Sequence, residues 1–393
     1  MERERVTPIG GQVLLEEEEL EQVFTPEDFT EEQRMIEKMT KDFVEGEIEP
    51  HREDLEKLSY PLTVKIMRQA GELGLLSADI PEEFGGLALD KISSSLIGEN
   101  LVRGGSFSLS HGAHVGIGTL PIVYFGTVAQ KEKYLPLLSS GEKLSAYCLT
   151  EPSSGSDALS AKTTAVLNKE GTHYILNGTK QFITNAGFAD LFIVYAKVDG
   201  ENFTAFIVER GYPGVSVGLE EKKMGIKGSS TCPLNLDQVP VPVGNVLGEI
   251  GKGHQIAFNI LNIGRYKLGI GTIGACKWAI EEAVVYANQR QQFQTPISRF
   301  PLIQKKIADM AIRTFISESL TYRTGSYLEE SVNKIDLTGF AAKASAKAIE
   351  EHAMEYSIAK VFGSEALDFV ADEGVQIHGG YGYIAEYPIE SNL

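Results

Sequence analysis

The sequence predicts an α+β chain in three blocks: a helical N-terminal domain, a β domain in the middle and a helical C-terminal domain. Three observations carry that reading. Apolar residues recur at helical spacing, with breaks, from about residue 30 to about residue 140. From about Ala146 to Pro242, short apolar or β-branched runs separated by turn residues replace that period. After Gly253 the helical period returns. Segregated runs argue for separate domains rather than an alternating α/β sheet. A length of 393 residues also exceeds what one small core needs. The expected boundaries are 1–25 for a flexible extension, 26–145 for the N-terminal helical domain, 146–250 for the β domain and 251–393 for the C-terminal helical domain, the last of them incomplete.

Each element has its own signal. Residues up to about 25 are polar and carry the acidic run Glu16 to Glu19, so an extension that frays or docks loosely is expected. Thr30-Glu31-Glu32-Gln33 has the form of a capping box, in which the Thr and Gln side chains satisfy each other's backbone N–H groups at a helix start. Tyr60-Pro61 opens a further helix, and Pro81 to Gly86 is a turn. In the middle block Thr163–Val166, Tyr174–Leu176, Leu191–Lys197, Phe203–Glu209 and Gly214–Val217 read as strands. Asn177-Gly178 reads as a hairpin turn between two of them. Val239-Pro240-Val241-Pro242 closes a block of about 100 residues, the size of a barrel or sandwich. Phe258–Gln289, Phe300–Leu328 and Thr338–Val370 read as three long helices.

Composition and motifs exclude several functions. A formal net charge of −18 argues against non-specific nucleic-acid binding, which needs a basic surface to displace phosphate counterions. Cys148, Cys232 and Cys276 are far apart and odd in number, which points to a reducing compartment and no disulfide framework. The N-terminus has no apolar signal region and no run approaches a membrane span, so a cytoplasmic location is expected. Gly269-Ile270-Gly271-Thr272-Ile273-Gly274 matches a dinucleotide-binding pattern, but no strand precedes it. It reads instead as small residues that let two helices approach. His111 and His114 lack a third ligand nearby, so they read as packing residues and no metal site is expected. No G-x-S-x-G supports a hydrolase.

Three segments carry more chemistry. Tyr147 to Asp157 starts like a strand and runs into turn-forming and hydroxyl residues, which suits a polar ligand or a plain domain-junction loop. In Gln181 to Gly187, Phe182 and Thr184 lie two apart on a strand and so share a face, fit to cover a flat heterocycle or to fill a core. In Val375 to Tyr383 the adjacent Gly379 and Gly380 allow close approach by a phosphate or a backbone, or simply cap a helix.

Together these segments resemble the acyl-CoA dehydrogenase family, from about residue 25 to the last residue. The resemblance rests also on Pro81 to Gly86, Lys223-Met224-Gly225, Val239 to Pro242 and Arg290-Gln291-Gln292-Phe293. It implies an N-terminal helical domain, a middle β-barrel and a C-terminal helical bundle, with FAD as cofactor. Tyr147, Leu149, Thr150, Gly155 and Ser156 are then expected to line the flavin, with Ser156 also near the CoA portion of the substrate. Phe182, Ile183 and Thr184 would flank the isoalloxazine; many relatives have Trp at the Phe182 position. Arg290, Phe293, Gln376, Gly379 and Gly380 would reach the ADP half of FAD across a dimer. Gln294 stands where the family usually has Gly, which puts that turn in question. Asn262, Arg265 and Ala113 are the implied substrate contacts.

The chemistry so implied is removal of a weakly acidic Cα proton by a base while a hydride leaves Cβ for the flavin. Hydrogen bonds to the thioester carbonyl stabilise the enolate-like charge that develops. In most relatives the base is a glutamate in a segment that follows the match at Glu386-Tyr387-Pro388-Ile389-Glu390. The base is therefore expected beyond Leu393, with the chain cut short there and inactive as given. The alternative position, just before an arginine on the long helix, is Gly264 before Arg265. Medium-chain relatives close the acyl pocket with bulky polar groups near Leu109 and Ala113. Gly112, Ala113 and Gly264 imply a deeper pocket and a long-chain acyl-CoA, as in the very-long-chain branch. The resemblance also implies a homodimer or homotetramer and electron-transfer flavoprotein as acceptor, in fatty acid β-oxidation. An acyl-CoA oxidase or nitroalkane-oxidase-like enzyme, and a flavin- or acyl-CoA-binding protein without chemistry, are the competing readings.

Overall fold

The computed structural model describes residues 9–15 and 23–389. The acidic run Glu16 to Glu19 and the segment from Glu390 to Leu393 lie outside the described residues. The expectation attached to Leu393, a chain cut short before its base, therefore falls on a position of which the structure says nothing. Of the extension, Ile9 to Leu15 is tied down. The backbone N–H groups of Gly10 and Gly11 donate to Glu351 (3.0 Å) and Glu355 (2.6 Å) on the C-terminal domain.

The N-terminal domain is built from α1 (Glu31–Phe43), α2 (Arg52–Glu56), α3 (Tyr60–Glu72), α4 (Lys91–Leu101), α5 (Ser106–Gly112), α6 (Leu120–Phe125) and α7 (Val128–Ser139). The capping box read at Thr30 and Gln33 starts α1, and a second one at Thr127 and Gln130 starts α7. Asp90 caps α4, whose side chains are almost all buried between α1 and the C-terminal helices. α5 passes directly into a π-helical turn, Ala113–Gly118.

The middle domain is one eight-stranded sheet: β1 (Ser145–Cys148), β2 (Thr164–Leu167), β3 (His173–Thr184), β4 (Leu191–Val198), β5 (Asn202–Glu209), β6 (Val215–Val217), β7 (Thr231–Pro242) and β8 (Val246–Leu247). Its hydrogen-bonded order is β6-β7-β3-β2-β4-β5-β8, with β1 parallel to β4. The expected barrel is thus a sheet whose path is open between β6 and β8. β4 is buried on both faces. Phe192, Val194 and Ala196 fill the inner core, while Leu191, Ile193 and Tyr195 face the helical core.

Asn177-Gly178 is not a hairpin turn: it lies inside β3, where the pairing with β7 shifts register. A Cβ at Gly178 would come within 2.4 Å of Thr163 Oγ1. The glycine serves a close crossing of β2 and β3 at a bulge, and glycine is what such a crossing requires.

The C-terminal domain holds α8 (Gly253–Gln289), the two-stranded ribbon β9 (Gln291–Gln292) and β10 (Thr295–Pro296), α9 (Pro301–Val332), α10 (Ala342–Glu350) and α11 (Ala353–His378). The helix expected over Thr338–Val370 is two helices. The chain leaves helical geometry at His352 (ψ 30°), and the second helix runs on to His378, where Gly379 (φ 62°) ends it. The glycine pattern on α8 is a packing stripe. A Cβ at Gly269 would lie 3.3 Å from the Ala359 carbonyl of α11, and one at Gly274 would lie 2.1 Å from the Glu99 carbonyl of α4. Farther along α8, Arg52 of α2 lies over the ring of Trp278 at 5.0 Å. Among the described residues no helix is long and apolar enough to cross a membrane.

Candidate functional site

The site begins where β3 leaves the sheet. Lys180 falls on the buried side of the strand with Tyr174 and Leu176 and is itself fully buried. An inward lysine needs an acid, and Glu151 supplies it at 2.6 Å. The same carboxylate accepts the backbone N–H groups of Lys162 (2.6 Å) and Thr163 (3.1 Å) and the Thr163 hydroxyl. Lys180 also donates to the Leu149 carbonyl (3.3 Å), and Gln181 N–H to the Thr150 carbonyl (2.8 Å). The loop 149–163 is therefore pinned to β3 by one buried ion pair. Burial works against both charges, and the ammonium beside it holds the Glu151 carboxyl below its ordinary range.

On that pinned loop the expected residues separate. Tyr147 and Leu149 are buried, and the Tyr147 hydroxyl donates to the Ala257 carbonyl of α8 (3.2 Å), so its ring belongs to the core. Thr150 is half-buried, and Gly155 and Ser156 are exposed. Nothing lies within 4 Å of a Cβ built at Gly155.

Beside the loop, β3 is bulged. Lys180 pairs with Leu234 and Ile183 with Cys232, so β3 carries one more residue than β7 over that interval. Phe182 sits in the bulge at φ 59° and is 61% exposed. A bulky residue held in left-handed backbone with its ring in solvent is a functional signal, because sterics and hydration both oppose it. Ile183 is buried and Thr184 half-buried. The bulge breaks the strict alternation that placed Phe182 and Thr184 together, yet both remain on the side away from the core.

A wall of expected residues comes from α5, the π turn and α8, where the π turn packs on both helices. Asn262 is buried and accepts a hydrogen bond from the half-buried Arg265. A Cβ at Gly264 would meet only Ile117, at 3.6 Å, and Gly112 has open space around it. Ala113 is buried where the π turn starts. His111 and His114 support this wall. His111 Nε2 meets the Leu75 carbonyl (2.9 Å). His114 Nδ1 accepts Ser145 N–H (3.1 Å), which leaves its Nε2 as donor to the Leu138 carbonyl (3.0 Å).

A second cleft, of about 520 Å³, brings Arg290, Gly379 and Gly380 together with Tyr286, His378 and Tyr381. Arg290 lies over the Tyr381 ring at 5.8 Å. Gln376 is exposed on the last turn of α11, and Phe293 is 91% exposed at the tip of the β9–β10 ribbon, outside the cleft lining. The ribbon turns through Phe293 (φ 53°) and Gln294 (φ 61°), so Gln294 adopts the left-handed turn that glycine would favour. Phe182 and Thr184 are not among the residues that line this cleft.

Sequence reasoning missed Glu151, Lys180 and Asn185. Lys180 had a signal, a lysine at an inward position of a strand. Glu151 is 29 residues away from it, and nothing in the sequence pairs them. Asn185 follows Thr184 and is described below.

Three domain families match in order: acyl-CoA dehydrogenase N-terminal domain over residues 30–142, middle domain over 146–239 and C-terminal domain over 251–393. A probable acyl-CoA dehydrogenase of Bacillus subtilis is 61% identical over 382 residues, which are 97% of this chain and 64% of that protein. A second Bacillus subtilis protein, an acyl-CoA dehydrogenase, is 39% identical over 93% of this chain and 92% of its own length. The very long-chain specific acyl-CoA dehydrogenase of Rattus norvegicus is 42% identical over 82% of this chain and 48% of its own. The crystal structure of acyl-CoA dehydrogenase complexed with FAD from Bacillus anthracis superposes with a TM-score of 0.96 at 60% identity, over 98% of this chain and 66% of that one. The chain belongs to the acyl-CoA dehydrogenase family, a family of oxidoreductases. It spans 64% of the length of its 61%-identical relative.

These matches bear on one expectation without deciding it. The sequence reading placed a truncation at Leu393 and the catalytic base beyond it. All three domains of the family are matched, and the C-terminal domain match runs through Leu393 itself. The matches give no support to a chain cut short at Leu393.

Proposed function

We propose that the protein binds FAD and a long-chain acyl-CoA and serves the α,β-dehydrogenation of that thioester to the trans-2-enoyl-CoA. The observation that carries the reading is Phe182, an exposed ring in left-handed backbone two residues before Thr184, on a strand that Gln181 ties to the loop carrying the exposed Gly155 and Ser156. Those groups fit a flat heterocycle with polar edges: a ring to stack on, hydroxyls to bond, and a glycine that leaves room. The Arg290, Gly379 and Gly380 cleft fits a phosphate-bearing tail, since a guanidinium pairs with phosphate oxygens and glycines let them approach the backbone. FAD bound there supplies the acceptor for the hydride from Cβ.

The chain's own residues bind and orient. Thr150, Ser156 and Thr184 offer hydroxyls along one edge of the flavin. Phe182 covers its face in place of the indole common in relatives. Ser156, Asn262 and Arg265 meet the CoA thioester, and Arg265 is steadied by its bond to Asn262. Leu149 and Tyr147 close the loop against the core and keep water from behind the site. Neither Asn262 nor Gly264, which flank this wall on α8, accepts a proton from carbon, and no base is assigned among the described residues. Gly112, Ala113 and Gly264 leave the acyl wall free of bulky side chains, which favours long chains. Because the two half-sites lie apart in one chain, a homodimer is the assembly that completes the cofactor site. Electron-transfer flavoprotein is the proposed acceptor.

The test is the visible spectrum of the purified chain under argon before and after palmitoyl-CoA. Bound flavin whose absorption shifts on adding the thioester supports the reading. A chain that takes up no FAD on reconstitution overturns it. Bleaching of the flavin would locate a proton acceptor on this chain and establish turnover. Rapid reoxidation of the reduced flavin by oxygen would favour an oxidase instead.

A further inference from the structure

We infer that Asn185 is a positioning residue that couples the flavin-flanking end of β3 to the acyl-pocket wall, by holding the point where α5 gives way to the π turn. The inference rests on the site reading given above and concerns how its two halves are kept in register.

Asn185 is the residue after Thr184, fully buried, with φ 68°. Asparagine tolerates that left-handed conformation better than other side-chain-bearing residues. Its backbone is fully engaged. The N–H donates to the Ser230 carbonyl (3.0 Å), and the carbonyl accepts from Phe188 (3.1 Å) and Ala189 (2.8 Å). The side chain then reaches across domains: Nδ2 donates to the Ser110 carbonyl of α5 at 2.8 Å.

At that carbonyl the helix changes its winding. In a continued α-helix the Ser110 carbonyl would accept the His114 N–H. Here the π turn starts at Ala113, whose N–H reaches back to the Leu109 and Ser110 carbonyls. π turns are rare and need outside support, and they concentrate at functional sites. The Asn185 amide supplies a donor at the switch. Two and three residues on from Ser110, Gly112 and Ala113 are the ones that leave the acyl wall open.

Two further atoms mark the junction. Asn185 Oδ1 and Ser110 Oγ are both buried and have no hydrogen-bond partner. The Nδ2–carbonyl bond is what ties the end of β3 to α5 at the switch, beside the bonds of Ser145 to His114 farther along the π turn. Losing that bond lets Gly112 and Ala113 shift relative to Thr184 and Phe182, so a long acyl chain no longer lies across the flavin as before. Flavin retention depends on other groups and is left in place.

The experiment uses the full chain loaded with FAD and follows the flavin absorption change on titration with palmitoyl-CoA and octanoyl-CoA under argon. Asn185→Asp keeps size and backbone but replaces the donor by an acceptor. Asn185→Gly keeps the left-handed backbone and deletes the bond. Ser110→Ala leaves the bonded carbonyl intact. The expected result is full FAD content in all three variants. Half-change with palmitoyl-CoA should need about tenfold more ligand in both Asn185 variants, equivalent to roughly 1.4 kcal/mol. Octanoyl-CoA should change much less, and Ser110→Ala should follow the parent chain. Unchanged palmitoyl-CoA curves overturn the inference. So does equal weakening of both thioesters, or FAD loss in step with a falling Tm, because each is what a merely structural residue gives. Should both Asn185 variants fail to fold, the residue is a folding determinant and the inference also falls. A parent chain that shows no FAD uptake or no response to palmitoyl-CoA sinks the proposed function itself, and does so without any variant.

Discussion

Two side chains decide the local geometry of the site, and each makes a prediction. Phe182 gains nothing for the fold from its exposed position, so its removal should spare stability and weaken FAD. Phe182→Ala is expected to raise the FAD dissociation constant about tenfold, read by flavin fluorescence, in line with the roughly 0.5–1.5 kcal/mol of an aromatic stacking pair. Phe182→Trp should retain or tighten binding. Lys180 behaves in the opposite way. Lys180→Met strands Glu151 as a buried charge and should destabilise the chain by about 3–5 kcal/mol in urea denaturation. Adding Glu151→Gln should recover part of that loss, because the uncompensated charge, rather than the lost attraction, is the larger cost. A double variant no more stable than Lys180→Met would sink that account. Residues of this kind were only half legible beforehand. The inward parity of Lys180 is visible in a strand pattern, while the bulge that turns Phe182 outward and the left-handed turn at Asn185 are set by pairing with β7 and by the α5 carbonyl, partners far away in sequence.

At the scale of elements, α8 is the axis on which the domains meet, and its glycines divide by what they face. Gly274→Ala places a methyl against the Glu99 backbone, which cannot step aside, and should cost about 1–3 kcal/mol as α4 and α8 are forced apart. Gly271→Ala meets only Val102 at 3.8 Å and should stabilise by up to about 1 kcal/mol through helix propensity. Thermal unfolding of the two single variants checks the pair, and equal effects would refute the packing reading of the glycine stripe. The rejection of a dinucleotide loop at 269–274 was available from the sequence, because a strand was missing before it. The break at His352 was not, since Thr338–Val370 keeps helical periodicity through it. There the amides of Gly10 and Gly11 meet Glu351 and Glu355, a contact that joins the N-terminal segment to the C-terminal domain. The Asn177-Gly178 misreading has the same origin: a turn dipeptide in sequence became a crossing point because Thr163 packs on it.

For the whole molecule, the order of helices, sheet and helices followed from the switch of hydrophobic period. The response to acid is also a property of the whole. His111 is held down to about 3 and His114 to about 4, in each case because burial disfavours the charged ring. Unfolding releases both to an ordinary value near 6.5, so the unfolded chain binds more protons as pH falls from there. Stability should therefore decline from about pH 6.5 towards pH 4, by up to about 1.4 kcal/mol per pH unit for each histidine. Urea midpoints measured across that range check it, and a flat profile would refute it. His114→Gln should shallow the slope.

Trp278 is the sole tryptophan in 393 residues, and it lies under Arg52 on the seam between α2 and α8. The protein therefore carries one indole lamp, and the lamp hangs on the joint between α2 of the N-terminal domain and α8 of the C-terminal domain. Its colour will report the packing of that joint and of nothing else, so the seam between the two helical domains can be watched in a protein of this size without adding a label.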